Sequence, residues 1–174
     1  MDRYLDWANR LKPDKAKAIM LAKREISILV FDAVQLEGIN FTLPEIQTLL
    51  DGITVGGHKL SDQRVATNQA DAWRFLFELI QSDAFAVSER VACDIHAIAG
   101  KEEALESGCF RSGMVTIAGT EYLPPDAHRL PGLYKALAED LRSIPDIYDR
   151  AIHVFLSMTR NQFFMMSINV WGAL

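Results

Sequence analysis

Apolar side chains at Ile19, Ala22, Ile26, Leu29, Ala33 and Leu36 recur in alternating steps of three and four, which places them on one face of a helix from Asp14 to Glu37. Gly38 and Asn40 follow directly and predict a left-handed cap within a residue or two of Glu37. Thr42 opens the next helix as its N-cap, with Glu45 placed to accept from the cap's amide, and that helix stops at Asp51-Gly52. Gly56-Gly57 marks a loop between Thr54 and Lys59. Ser61 then caps a helix that buries Trp73, Leu76, Phe77 and Ile80, and another helix runs from about Ser88 to Ala99.

The helical period breaks between Arg111 and Tyr122. There Met114-Val115-Thr116-Ile117 is rich in β-branched residues and lies between Gly113 and Gly119, which predicts a short strand pair. Pro124-Pro125 closes this small β-hairpin. Helices return from Leu133 to Ser143 and from Pro145 onward, the latter with Ile147, Ala151, Val154, Phe155 and Met158 facing inward. The expectation is a mainly α domain carrying one hairpin, without internal repeats.

Size and charge narrow the classes of function. The chain has 174 residues, 49% of them hydrophobic, enough for one sizeable core and too few for two ordinary domains. A net charge of −5 gives no basic footprint for nucleic acid or an anionic membrane surface. The longest uncharged stretch, Asn161 to Leu174, is shorter than a membrane span, and the charged N-terminus offers no apolar signal segment. Cys93 and Cys109 read as two free thiols of a cytoplasmic protein.

Generic motifs yield no enzyme. Gly100-Lys101 lacks the remaining residues of a phosphate-binding loop. Cys93 and His96 share a helix face, but only Cys109 offers a third zinc ligand; a half-buried thiol and a hydrogen-bonded histidine explain them better. His153 reads as a histidine satisfied within its helix, and His58 and His128 as loop residues without clustered partners. Glu102, Glu103 and Glu106 read as the solvated first turn of a short helix.

A family resemblance rests on several segments taken in order. Glu37-Gly38, before the capped helix at Thr42, resembles the inhibitory helix end of Fic proteins, with Ala33 where that motif carries a hydroxyl. Asn68-Gln69-Ala70, Asp94-Ile95-His96, Gly108-Cys109-Phe110-Arg111, Val115 to Gly119 and Pro124-Pro125 follow in the order and spacing of that family. The run from Ala151 to Phe164 is similar to the helix that delivers its core motif, His-Pro-Phe-x-Asp/Glu-Gly-Asn-Gly/Lys-Arg-x-x-Arg. Here Gln162-Phe163-Phe164 stands for His-Pro-Phe. Met165 to Val170 then resembles the start of the following helix, so roughly nine residues of the motif's anion-binding helix N-terminus are missing.

The resemblance implies a Fic-like helical bundle with a β-hairpin flap, spanning residues 1–174 as N-terminal helices (1–60) and a core (61–174) that is incomplete after 164. It implies transfer of AMP from ATP, with Mg, to a Ser, Thr or Tyr hydroxyl of a target protein. Glu37 would be the inhibitory residue, and Met114, Val115, Thr116 and Ile117 the edge that docks the target. Self-association is allowed. Gln162, in the histidine's place, has no titratable group, and no arginine, lysine, aspartate, glutamate or histidine follows Asn161. As written the chain is expected to be inactive, either because it is degenerate or, the favoured account, because a loop is omitted and more chain once followed Leu174. Two helices, not one rod, are expected about a turn between Phe164 and Met165. The alternative is a non-catalytic interaction module that uses the flap edge.

Overall fold

The computed structural model describes residues 12, 14–117 and 119–165. Ala118 of the expected hairpin and residues 166–174 lie outside them. Asp14 caps the first helix, α1 (Lys15–Arg24), by accepting from the Lys17 amide at 2.9 Å. The expected single helix to Glu37 is interrupted at Glu25, whose backbone leaves the helical basin (φ −95°, ψ 15°). Its carbonyl accepts both from Ile28 three residues on, at 2.9 Å, and from Leu29 at 3.2 Å, so one turn tightens between α1 and α2 (Ile26–Leu36). Apolar periodicity continues across the break, which hides it from the sequence pattern.

The end of α2 matches its prediction. Gly38 takes a positive φ of 73°, its amide donates to Gln35, and the Ile39 amide donates back to Val34 at 3.0 Å. Thr42 and Glu45 form the expected capping box, the Thr42 amide donating to Glu45 at 2.7 Å, and α3 (Leu43–Leu50) follows. The third expected cap is displaced. Lys59, not Ser61, precedes α4 (Leu60–Gln81), and the Ser61 hydroxyl turns instead to Asp62. Gln63 ties the loop before this helix by bonding both the amide and the carbonyl of Val55.

With 22 residues, α4 is about 33 Å long at the standard rise and joins the packed clusters. One side of it, through Val65, Ala66 and Ala70, closes against Val30, Val34, Phe41, Ile46 and Leu49 of the N-terminal helices. Further along, Ala72 and Leu76 meet Ile95 and Ala99 of α5 (Glu89–Ala99), whose Ser88 cap accepts from Val91. Alanines at these contacts let the two helices approach closely.

Beyond α5 the chain turns without the short helix expected at Glu102 to Glu106. Nor is there a hairpin: among the described residues of 111–122 no strand forms. Val115, Thr116 and Ile117 favour an extended backbone, but a strand also needs a donor-bearing partner. The returning segment offers Gly119 at φ 78° and the amide-less Pro124 and Pro125. A single turn, Ala127–Arg129, leads into α6 (Leu130–Asp140), which starts before the expected Leu133 because Pro131 fits a first helical turn. Asp146 then caps α7 (Ile147–Asn161). Leu130, Tyr134 and Leu137 of α6 pack on Met158, Phe163 and Phe164. The inward face expected for α7 is only partly so: Met158 is buried, whereas Ile147 is 70% exposed.

Candidate functional site

α7 ends in a tight reversal that decides where the following residues go. Gln162 adopts a left-handed backbone (φ 48°, ψ 60°), and its amide still donates to Met158 at 3.0 Å. Its side chain folds back as well, Nε2 donating to the Thr159 carbonyl at 2.7 Å. A rod through positions 164 and 165 is therefore excluded: the helix stops at Asn161, three residues earlier than the turn expected after Phe164. Phe163 and Phe164 swing inward and are buried.

These two rings enter an aromatic knot. Phe110 lies 5.2 Å from Phe163 and 5.3 Å from Phe164 between ring centroids, and Tyr134 meets Phe163 edge-on at 5.1 Å. Phe164 stacks on His96 at 4.3 Å. His96 is buried; its Nδ1 accepts from the Gly108 amide at 3.1 Å, which leaves the proton on Nε2. Burial holds its pKa down at about 4. The hydrogen-bonded histidine read from the sequence is thus found, facing an aromatic ring. Cys93, half-buried beside this knot, has its thiol pushed up to about 11 by burial, with Glu89 adding to the effect.

Arg111 organises the site, a role its place in a motif string did not reveal. It is 2% exposed, and its guanidinium donates to carbonyl oxygens on three sides. Nε reaches Gln162 at 2.6 Å, Nη1 reaches Gly113 at 2.7 Å, and Nη2 reaches Pro125 at 2.5 Å and Asn161 at 3.3 Å. Its own amide donates to Phe163 at 2.9 Å. Burial lowers its pKa, which Asp126 partly offsets, and the side chain stays charged. One buried cation therefore ties the end of α7 to both ends of the 113–125 loop.

That loop carries the segment expected to be the flap. Met114 and Thr116 are exposed, while Val115 and Ile117 are half-buried, the alternation of an extended chain lying on a surface. Its entry is fixed by Glu106, which accepts from the amide and hydroxyl of Ser112; those bonds lower the Glu106 pKa. Glu37 sits half-buried at the end of α2, its amide donating to Val34, beside Gly38 and the N-terminal cluster. Gln162, Phe163 and Phe164 are thus grouped with Arg111 and the base of the 114–117 segment. Glu37 and Gly38 belong to the α2–α3 corner.

Two of the other histidines have aromatic or acidic neighbours. His58, read as a loop residue without partners, stacks on Phe41 at 4.0 Å and meets Glu45 at 3.3 Å. His153 faces Asp140 at 3.9 Å. Among the described residues, no three His, Cys, Asp or Glu side chains group to hold a metal ion, and no helix is long and apolar enough to cross a membrane.

Neither a protein-family model nor a curated protein matches the sequence. Solved structures do match the fold. A Fic family protein from Desulfovibrio desulfuricans G20 superposes with a TM-score of 0.72 at 22% identity, over 87% of this chain and 46% of its own. A Fic domain containing signaling protein from Bacteroides thetaiotaomicron VPI-5482 gives 0.71 at 17% identity, over 98% of this chain and 67% of its own. The chain thus spans about half the length of the first and two thirds of the second. The class these likenesses define is a mainly helical protein. Its fold is that of a Fic domain.

Proposed function

We propose that this chain is a target-docking domain of the Fic AMP-transferase kind in which nucleotidyl transfer is silent. Fic-type transfer would take AMP from ATP, with Mg, onto a hydroxyl of a target protein. Stabilising the charge of that reaction takes cationic side chains and free amides at a helix start, with a base for the attacking hydroxyl. The residues at the end of α7 do not fit that task. Gln162 has no titratable group and gives its amide to Thr159. Arg111, the cation in contact with that residue, spends its donors on four carbonyls. No Arg or Lys stands between Gln162 and Leu174. This misfit of Gln162 and Arg111 to a phosphate carries the reading.

Docking is the part of the function this chain would retain. An extended segment with alternating exposure at 114–117 offers amides and carbonyls to which a target could add a strand, Met114 and Thr116 facing outward. Capture of a target without nucleotide, lost in Thr116→Pro, is the result expected of such an edge.

Glu37 and Gly38 retain the form of an inhibitory helix end, Gly38 supplying the left-handed residue that turns the chain after the glutamate. Incubation with labelled ATP tests the whole reading. The chain should acquire no label, whereas insertion of the family's motif residues between Phe164 and Met165 should restore labelling. Glu37→Gly should then raise it further. Labelling of the unaltered chain would overturn the silent assignment, and no gain from Glu37→Gly would overturn the inhibitory one.

A further inference from the structure

Gly108, Cys109 and Phe110 lie along the side of α5 that carries Cys93, His96 and Ala97. The Gly108 amide donates to His96 Nδ1 at 3.1 Å. A Cβ on Gly108 would come within 3.1 Å of the Ala97 Cβ and 3.8 Å of the Cys93 carbonyl oxygen, so a glycine, here at φ 74°, lets the two backbones approach this closely. On the other side of Cys109, Phe110 packs with Cys93 around the same buried cluster, and its amide lies near enough to the Cys93 sulfur to favour the thiolate. Cys109 is thus bracketed by two residues that each meet Cys93, and a charge on its own sulfur acts on Cys93. Both thiols are free, Cys93 half-buried and Cys109 exposed.

We propose that Cys109 and Cys93 are a redox pair, in which Cys109 takes up an oxidising equivalent from solution as a mixed disulfide and Cys93 resolves it into an internal Cys93–Cys109 bond. Exposure sets the order. Cys109 meets solvent, whereas burial pushes the Cys93 thiol up to about 11 and keeps it protonated at neutral pH, in reserve until a disulfide stands beside it. In the first step the Cys109 thiol loses its proton to water and its sulfur attacks a low-molecular-weight disulfide such as oxidised glutathione. The S–S bond breaks, and one glutathione leaves as a thiolate that takes up a proton. In the second, Cys93 loses its proton, its sulfur attacks that of Cys109, and the other glutathione leaves in the same way. Two protein thiols are oxidised while one small disulfide is reduced to two thiols. The internal bond needs Cα atoms about 4.4–6.8 Å apart, which the close approach at Gly108 and Phe110 serves. It fastens to α5 a residue just before Arg111, and with it the base from which Arg111 holds the 113–125 loop.

The reduced full chain, incubated in native buffer with excess oxidised glutathione and followed by intact mass and peptide mapping, tests the pair. A product two hydrogens lighter than the reduced chain is expected, with the peptides of Cys93 and Cys109 joined within one chain. Cys93→Ser should stop with one glutathione on Cys109, and Cys109→Ser should react at least about tenfold more slowly than Cys93→Ser. A parent chain that stays reduced, stops at a mixed disulfide or links only to a second chain would overturn the pair, and equal rates in the two variants would overturn its order. The oxidised parent should melt about 5 °C or more above the reduced one and fall back on addition of dithiothreitol. An unchanged midpoint would overturn the fastening of the loop base.

Discussion

The guanidinium of Arg111 and the carbonyl of Gln162 meet at 2.6 Å, 51 residues apart in sequence, and this bond joins the end of α7 to the base of the exposed 114–117 segment. A helix C-terminus leaves its last carbonyls without intrahelical donors, and here a buried cation from another part of the chain supplies them. The relation explains both why Phe163 and Phe164 turn into the core and why the 113–125 loop holds its shape without a strand partner.

Arg111→Ala should therefore destabilise the fold by about 3 kcal/mol or more, because it orphans the carbonyls of Gln162, Gly113 and Pro125 together. Arg111→Lys should recover only a minor part, since a point charge cannot serve three directions at once. Urea denaturation of the three proteins checks this, and a lysine variant as stable as the parent would contradict it.

Gln162 is a non-glycine residue at φ 48°, and the sign of each substitution there follows from that backbone. Gln162→Val puts a β-branched side chain in the left-handed region and removes the bond to Thr159, so a loss of about 2 kcal/mol is expected. Gln162→Gly relieves the backbone while losing the same bond, and should stay within about 1 kcal/mol of the parent. Thermal melts distinguish the pair. Equal losses would mean that backbone handedness is not what ends α7.

His96 couples stability to pH through its burial against Phe164. Its pKa lies at about 4 in the folded chain, below the ordinary value of 6.5, so the unfolded chain binds the proton more readily. The neutral ring's contribution is fully present above about pH 6.5 and is lost progressively as the pH falls towards 4. Denaturant midpoints measured between pH 7.5 and 4 should fall, and His96→Phe should flatten the part of that fall below pH 6.5. A variant with the parent's full slope would assign the pH dependence to carboxylates such as Glu45, whose pKa is lowered chiefly by the Thr42 amide.

Much of the helical frame was legible because its signals are local. Thr42 with Glu45, Ser88, and Gly38 after Glu37 mark helix ends by donors and acceptors only a few residues apart. The errors fall where a distant partner decides. Val115 to Ile117 have strand propensity, but Gly119 and the two prolines deny them a ladder, and no local pattern carries that information. Glu25 breaks a helix whose apolar stripe runs on undisturbed. The direction of Phe163 and Phe164 depends on Arg111, and the importance of Arg111 depends on carbonyls that only the folded chain brings to it. In the same way, period alone places Ile147 and Phe155 inward, yet they are 70% and 41% exposed.

On the proposed reading, the end of α7 keeps the frame of a Fic domain without a place for nucleotide phosphates. Calorimetric titration of the full chain with ATP and magnesium measures this most directly. The account predicts no saturable heat at millimolar nucleotide. Saturable binding that Arg111→Lys abolishes without unfolding the chain would contradict it, because it would show that the buried guanidinium can leave its carbonyls for a phosphate.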